Sequence, residues 1–149
     1  MRIAVLGEEH LTGVARLEEQ CFSAPWSVSS LRLLLRGGNF GLVMLCDDVV
    51  AGYVGVLAIP PDEWEITNVA VDPDFRRRGM GEALMRALAD KAAQAGVARI
   101  SLEVRVSNAA AIGLYRKLGF VDCGVRKNFY SAPREDGVIM EKLFLSKVR

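Results

Sequence analysis

The chain has 149 residues, 51% hydrophobic and 25% charged, with a formal net charge of +1. These values suit one domain spanning 1–149 with its own core, and they exclude a disordered or low-complexity chain. The near-neutral balance provides no global field toward nucleic acid or membrane, so any anion binding must be local.

The first residues, Met1 to Glu9, carry too short an apolar stretch for a signal peptide, and no run is long enough to span a bilayer. Cytoplasm is the expected compartment. Arg2–Leu6 reads as a short strand, and 8–21 as a helix with Leu11, Val14, Leu17 and Cys21 at helical spacing. Pro25 breaks it, and Ser27 is placed to cap a second helix through Leu31, Leu34 and Leu35. Gly41–Cys46 and Val49–Ile59 flank Asp47-Asp48 as a hairpin. Glu65–Val71 is the next strand. Its apolar phase switches parity near Asn68, which a β-bulge would produce; burial on both faces would also blur the pattern. Residues 80–95 form an amphipathic helix with Met80, Leu84, Leu88 and Ala92 on one stripe, stopped by Gly96. Ala98–Val106 alternates cleanly, with Arg99, Ser101, Glu103 and Arg105 on its polar face. A short helix from Ser107-Asn108 to Lys117 follows, then strands at 120–130 and 137–145. The strand–helix–strand unit at 65–104 implies a parallel pair with a right-handed crossover, and the hairpins imply antiparallel neighbours. The fold class is therefore α/β, with a mixed sheet of six or seven strands and about four flanking helices.

Three features carry chemistry. Between the strand ending at Val71 and the helix at 80 lies Arg76-Arg77-Arg78-Gly79-Met80-Gly81. Free N–H groups, guanidinium groups and a helix N-terminus there suit a phosphate or pyrophosphate. Alone, the segment reads equally well as a solvated turn; the flanking strand and helix favour a ligand. It matches neither a dinucleotide fingerprint nor a Walker loop. Glu103, on the polar face of a central strand, is a candidate base if that face meets a cleft. Tyr115 lies on a helical stripe with Ala111, Leu114 and Leu118. By spacing it is a core residue, and a role in catalysis requires its hydroxyl to emerge beside Glu103. Asn108 reads first as a helix cap. Cys21, Cys46 and Cys123 fit no zinc or redox spacing and read as small core residues, and His10 reads as solvated. No metal is expected.

Asn68-Val-Ala-Val-Asp-Pro-Asp-Phe-Arg-Arg-Arg-Gly-Met-Gly resembles the acetyl-CoA motif of the GNAT superfamily, with Arg76, Gly79 and Gly81 at its defining positions. Leu102 to Phe120, together with Pro25-Trp26-Ser27 and Arg126-Lys-Asn-Phe-Tyr130, resembles the RimI-type protein N-terminal alanine acetyltransferases. The likeness runs nearly end to end. It implies strands splayed around the pantetheine arm of acetyl-CoA, with Val69, Ala70 and Val71 pairing with that arm. Arg76, Arg77, Arg78, Gly79, Met80, Gly81 and Glu82 would hold the pyrophosphate, and Asn108 and Tyr115 would contact the cosubstrate. It further implies Glu103 as base, Tyr115 as acid, and Trp26 and Tyr130 at the peptide entrance. Phe129 stands where relatives often have tyrosine. The implied substrate is a protein N-terminus, that of a small-subunit ribosomal protein, with no nucleic-acid or membrane partner. Acetylation of a lysine side chain or a small amine is the alternative, and the oligomeric state is open between monomer and weak dimer.

Overall fold

A computed structural model describes residues 1–144. Seven strands and four α-helices follow one another as β1 (Arg2–Val5), α1 (Leu11–Cys21), α2 (Val28–Leu31), β2 (Phe40–Cys46), β3 (Val49–Ile59), β4 (Glu63–Val71), α3 (Met80–Ala95), β5 (Arg99–Arg105), α4 (Ala109–Lys117), β6 (Val121–Tyr130) and β7 (Glu135–Leu143). This is the expected order. The strands form one sheet, β1-β2-β3-β4-β5-β7-β6, with β4 and β5 parallel and the other neighbours antiparallel. Residue 145 of the last expected strand lies outside the described residues.

Local chemistry sets the helix boundaries. Ser27 caps α2 through its hydroxyl, which accepts from the Ser30 N–H at 3.1 Å. A 3₁₀ turn, Arg32–Leu35, continues it; Leu31 and Leu34 are buried while Leu35 is exposed. His10 does more than sit in solvent, since its Nδ1 accepts the Gly7 N–H at 2.9 Å ahead of α1. On α3 the stripe Met80, Leu84, Leu88 and Ala92 is buried as its spacing requires. Each fully buried leucine there contributes about 1.5–3 kcal/mol. Gly96, at φ +74°, ends that helix.

The core has two parts. One holds α3, α4 and sheet residues including Ile100, Leu102 and Val104. The other holds α1, α2 and sheet residues including Val43 and Tyr53. Cys21 and Cys46 are partly buried, but Cys123 is exposed, contrary to the core reading. It lies on β6, one of the sheet's two edge strands, where alternation does not guarantee cover. Among the described residues no helix is long and apolar enough to cross a membrane.

The irregular phase of β4 is a bulge. Val54 pairs with Val69 and Val56 with Ile66, so Gly55 alone faces both Thr67 and Asn68. A Cβ at Gly55 would collide with the Thr67 hydroxyl and press on Leu34, so the close approach requires glycine. On its other side, β4 pairs with β5 only through Glu63↔Arg99, Trp64↔Ile100 and Glu65↔Ser101. Beyond Glu65 the two parallel strands separate.

Candidate active site

The parting of β4 and β5 opens a cleft of about 480 Å³. Val69 of β4, Glu103 and Arg105 of β5, and Tyr115 of α4 line it, together with Phe22–Ala24 after α1 and Phe129–Pro133 around the β6–β7 turn. Glu103 and Tyr115 start on different sides of β5. Tyr115 packs in the core with Ile100, Leu102 and Val104, whereas Glu103 alternates to the other face. In a closed sheet they would be separated. The gap lets both reach one space.

Their environments differ. Glu103 Oε1 is 3.1 Å from Arg126 Nε, and Oε2 is buried without a hydrogen-bond partner among the described residues. Loss of solvent raises the Glu103 pKa; Arg126 opposes the rise and Glu65 adds to it. Tyr115 is 7% exposed, and burial, with Tyr130 nearby, pushes its phenol up to about 12. It therefore keeps its proton at neutral pH.

The start of α3, beside Val71, offers hydrogen-bond donors, although residues 76–82 do not line the cleft itself. Gly79 takes φ +75° and α3 begins at Met80. The first bond closing back into the turn is Ala83 N–H to Gly79 O, at 2.9 Å. The N–H groups of Met80, Gly81 and Glu82 precede it and are free of the helical ladder. A Cβ at Gly81 would meet only ordinary contacts with Leu114 and Val71, so packing within the chain does not demand glycine there. Close approach by a ligand would. Arg77 holds φ +65°, a conformation that costs a non-glycine residue about 1–2 kcal/mol.

The three guanidinium groups are not gathered in one cup. Arg76 turns back onto the cleft wall, with Nε 3.3 Å from Val71 O and Nη2 3.4 Å from Cys21 Sγ. Arg78 lies over the Phe75 ring at 5.2 Å. The Glu82 carboxylate bridges Lys117 and Arg86, both at 2.9 Å, so its side chain ties α3 to α4. Asn108 caps α4, its Oδ1 accepting the Ala111 N–H at 3.2 Å, and also lines the cleft. Along β4, Val69, Ala70 and Val71 pair with β3 on one side and leave the side toward β5 open. An extended ligand can add to such an edge as a strand would.

Tyr130 lines the cleft, whereas Trp26 does not. Trp26 packs against the α1–α2 core and borders a separate surface groove with Ser29, Leu33 and Arg36. Its neighbours Phe22, Ser23 and Ala24 supply the wall instead, because the chain turns between Cys21 and Ser27. Arg105 has partners that its place on the polar face of β5 does not reveal. It pairs with Glu135 at 3.1 Å, donates to Pro133 O at 2.9 Å and Ser131 O at 3.1 Å, and lies over the Tyr130 ring at 4.6 Å. It clamps the β6–β7 turn over the cleft. The Ser23 hydroxyl donates to Ser131 O at 3.3 Å, joining the two loops. Phe129 stacks edge-on to Tyr130, with centroids 4.9 Å apart.

Known proteins share the sequence and fold of this chain. The family model described as the acetyltransferase (GNAT) family matches residues 11–120. The chain is 37% identical over 145 residues to the [ribosomal protein bS18]-alanine N-acetyltransferase of Salmonella typhimurium, covering 93% of this chain and 94% of that one. It is 38% identical over 134 residues to a putative enzyme of the same name from Bacillus subtilis, covering 89% and 88%. The crystal structure of the ribosomal-protein-S18-alanine N-acetyltransferase from Escherichia coli superposes with a TM-score of 0.91 at 33% identity, covering 99% and 96%.

The Glu103–Arg126 pair makes a prediction independent of turnover. In a carbon-detected NMR titration, Glu103 should titrate above its ordinary value of 4.5. Arg126→Ala removes the influence that lowers this pKa, so the midpoint should move higher still. A midpoint that falls or stays put in the variant would show that Arg126 does not act on Glu103.

Proposed function

This chain belongs to the acetyltransferase (GNAT) family, and we propose that its cleft moves acetyl from acetyl-CoA to a protein N-terminal α-amine with Glu103 as base and Tyr115 as acid. It is an N-terminal acetyltransferase of the RimI type. The observation that supports the two catalytic roles is the convergence of a carboxylate with raised pKa and a protonated phenol on one cleft.

The residues fit the cosubstrate. The open edge of Val69, Ala70 and Val71 suits the amide groups of the pantetheine arm. The free N–H groups at the start of α3, with Arg76, Arg77, Arg78 and Gly79 before them, suit the pyrophosphate. Asn108 borders the same path. Acetyl-CoA supplies an activated acyl group as a thioester. The protein's share is to orient it and manage two protons. Glu103 accepts a proton from the incoming ammonium, through a water, as nitrogen bonds to the acyl carbon. An N–H near Ala70 steadies the carbonyl oxygen. Tyr115 donates its proton to the departing sulfur. The three cysteines take no covalent part.

The peptide enters between Phe22–Ala24 and the clamped β6–β7 turn, against Tyr130. Proton energetics favour an α-amine. At pH 7, deprotonating a lysine of pKa ~10.4 costs roughly 4.6 kcal/mol, against roughly 1.1 for an α-amine of pKa ~7.8. The proposed physiological substrate is the N-terminal alanine of ribosomal protein bS18, by analogy with the relatives' named activity.

With acetyl-CoA and a peptide carrying both an N-terminal alanine and an internal lysine, tandem mass spectrometry should find acetyl on the α-nitrogen. Acetyl confined to the lysine would overturn the substrate reading. Glu103→Gln should lower kcat/KM at neutral pH by roughly 10²-fold or more; full activity would remove the base role. Tyr115→Phe should lower kcat while leaving acetyl-CoA affinity close to that of the parent. An unchanged kcat would remove the acid role.

A further inference from the structure

Glu18 is fully buried in the last turn of α1, and the mechanism above does not use it. A negative charge near a helix C-terminus opposes the helix dipole, so its position there needs another reason. Its carboxylate collects three donors from three separate pieces of chain. Oε1 accepts the backbone N–H of Trp26 at 2.9 Å. Oε2 accepts hydrogen bonds from the Asn68 side-chain amide at 2.9 Å and from the Tyr53 hydroxyl. Burial, and then the adjacent Glu18, drive the Tyr53 phenol pKa far upward, so that hydroxyl remains a donor.

Two of these donors belong to opposite walls of the cleft. Trp26 closes the segment that contributes Phe22, Ser23 and Ala24. Asn68 sits in the β4 bulge, directly before the cleft-lining Val69. One carboxylate thus fixes the peptide-side loop to the cosubstrate-side strand. We propose that Glu18 is a positioning residue for acetyl transfer, setting the spacing between the loop at 22–26 and the bulged edge of β4. This rests on the proposed function and assigns a role to a residue outside the reacting pair. Tyr53, the third donor, only braces the carboxylate from β3 and reaches neither wall.

That asymmetry separates positioning from plain core stability. Glu18→Gln keeps shape and volume but leaves one acceptor oxygen for three donors. Tyr53→Phe removes one donor and leaves both wall ties intact. Assayed below their unfolding midpoints, Glu18→Gln should lose roughly 10- to 100-fold in kcat/KM for the N-terminal peptide, while Tyr53→Phe stays within about twofold of the parent. Hydrogen exchange should show lost protection at 22–26 and 67–69 in Glu18→Gln only. Equal losses in both variants, or parent-like kcat/KM in folded Glu18→Gln, would overturn the proposal. If Glu18→Gln does not fold, Asn68→Ala, which cuts only the strand tie, should raise the acetyl-CoA KM; an unchanged KM would overturn it. A parent enzyme that acetylates no peptide N-terminus would instead sink the functional reading, and the exchange pattern would still report whether Glu18 holds the two walls.

Discussion

The structure depends on a pairing that stops early. Parallel strands normally continue their hydrogen bonds until one of them ends. Here β4 and β5 share three residue pairs and then part, although both have residues to spare. The bulge at Thr67-Asn68 supplies a cause. An extra residue against β3 bends β4 and increases its local twist, which carries the strand away from β5. The separation leaves an open backbone edge, a mouth for the cleft, and a route by which side chains from both faces of the sheet can meet.

Electrostatics within that cleft assign the protons. Burial raises the pKa of both Glu103 and Tyr115, with opposite chemical consequences. A carboxylate of raised pKa is a better proton acceptor. A phenol of raised pKa stays protonated and can only give its proton away. Pairs of groups tuned to different tasks in one cleft mark functional sites. Arg126 holds the Glu103 pKa down from the exposed strand β6, and Glu65 pushes the other way from β4. The Glu103 carboxyl is therefore tuned by residues distant in sequence.

Around this centre, buried or half-buried polar side chains hold the walls. Arg105 ties down the β6–β7 turn through Glu135 and two loop carbonyls, while Glu18 ties the α1–α2 loop to the bulge. Both use a charged group as a junction for several chain segments. Such junctions resist small displacements because moving any one segment leaves a charge short of a partner.

The sequence by itself determined the element order and the parallel crossover, offered the bulge as one of two readings of β4, and marked Glu103 as a candidate base, while Tyr115 gained a role only through the resemblance. All but the last of these rest on local rules. Proline and glycine stop elements, spacing of 3.6 or 2 selects helix or strand, and a parity switch at Asn68 betrays an extra residue. The resemblance carried by residues 68–81 and 102–120 added the cosubstrate. The tertiary structure alone decided where side chains point once segments far apart in the chain come together. It turned Trp26 away from the cleft and put Phe22–Ala24 there. It dispersed the guanidinium groups of Arg76 and Arg78, and it gave Glu18, Arg105 and Arg126 their partners. The contacts of Glu18 with Tyr53 and Asn68, of Arg105 with the β6–β7 turn and of Arg126 with Glu103 join segments far apart in the chain, which no local pattern encodes.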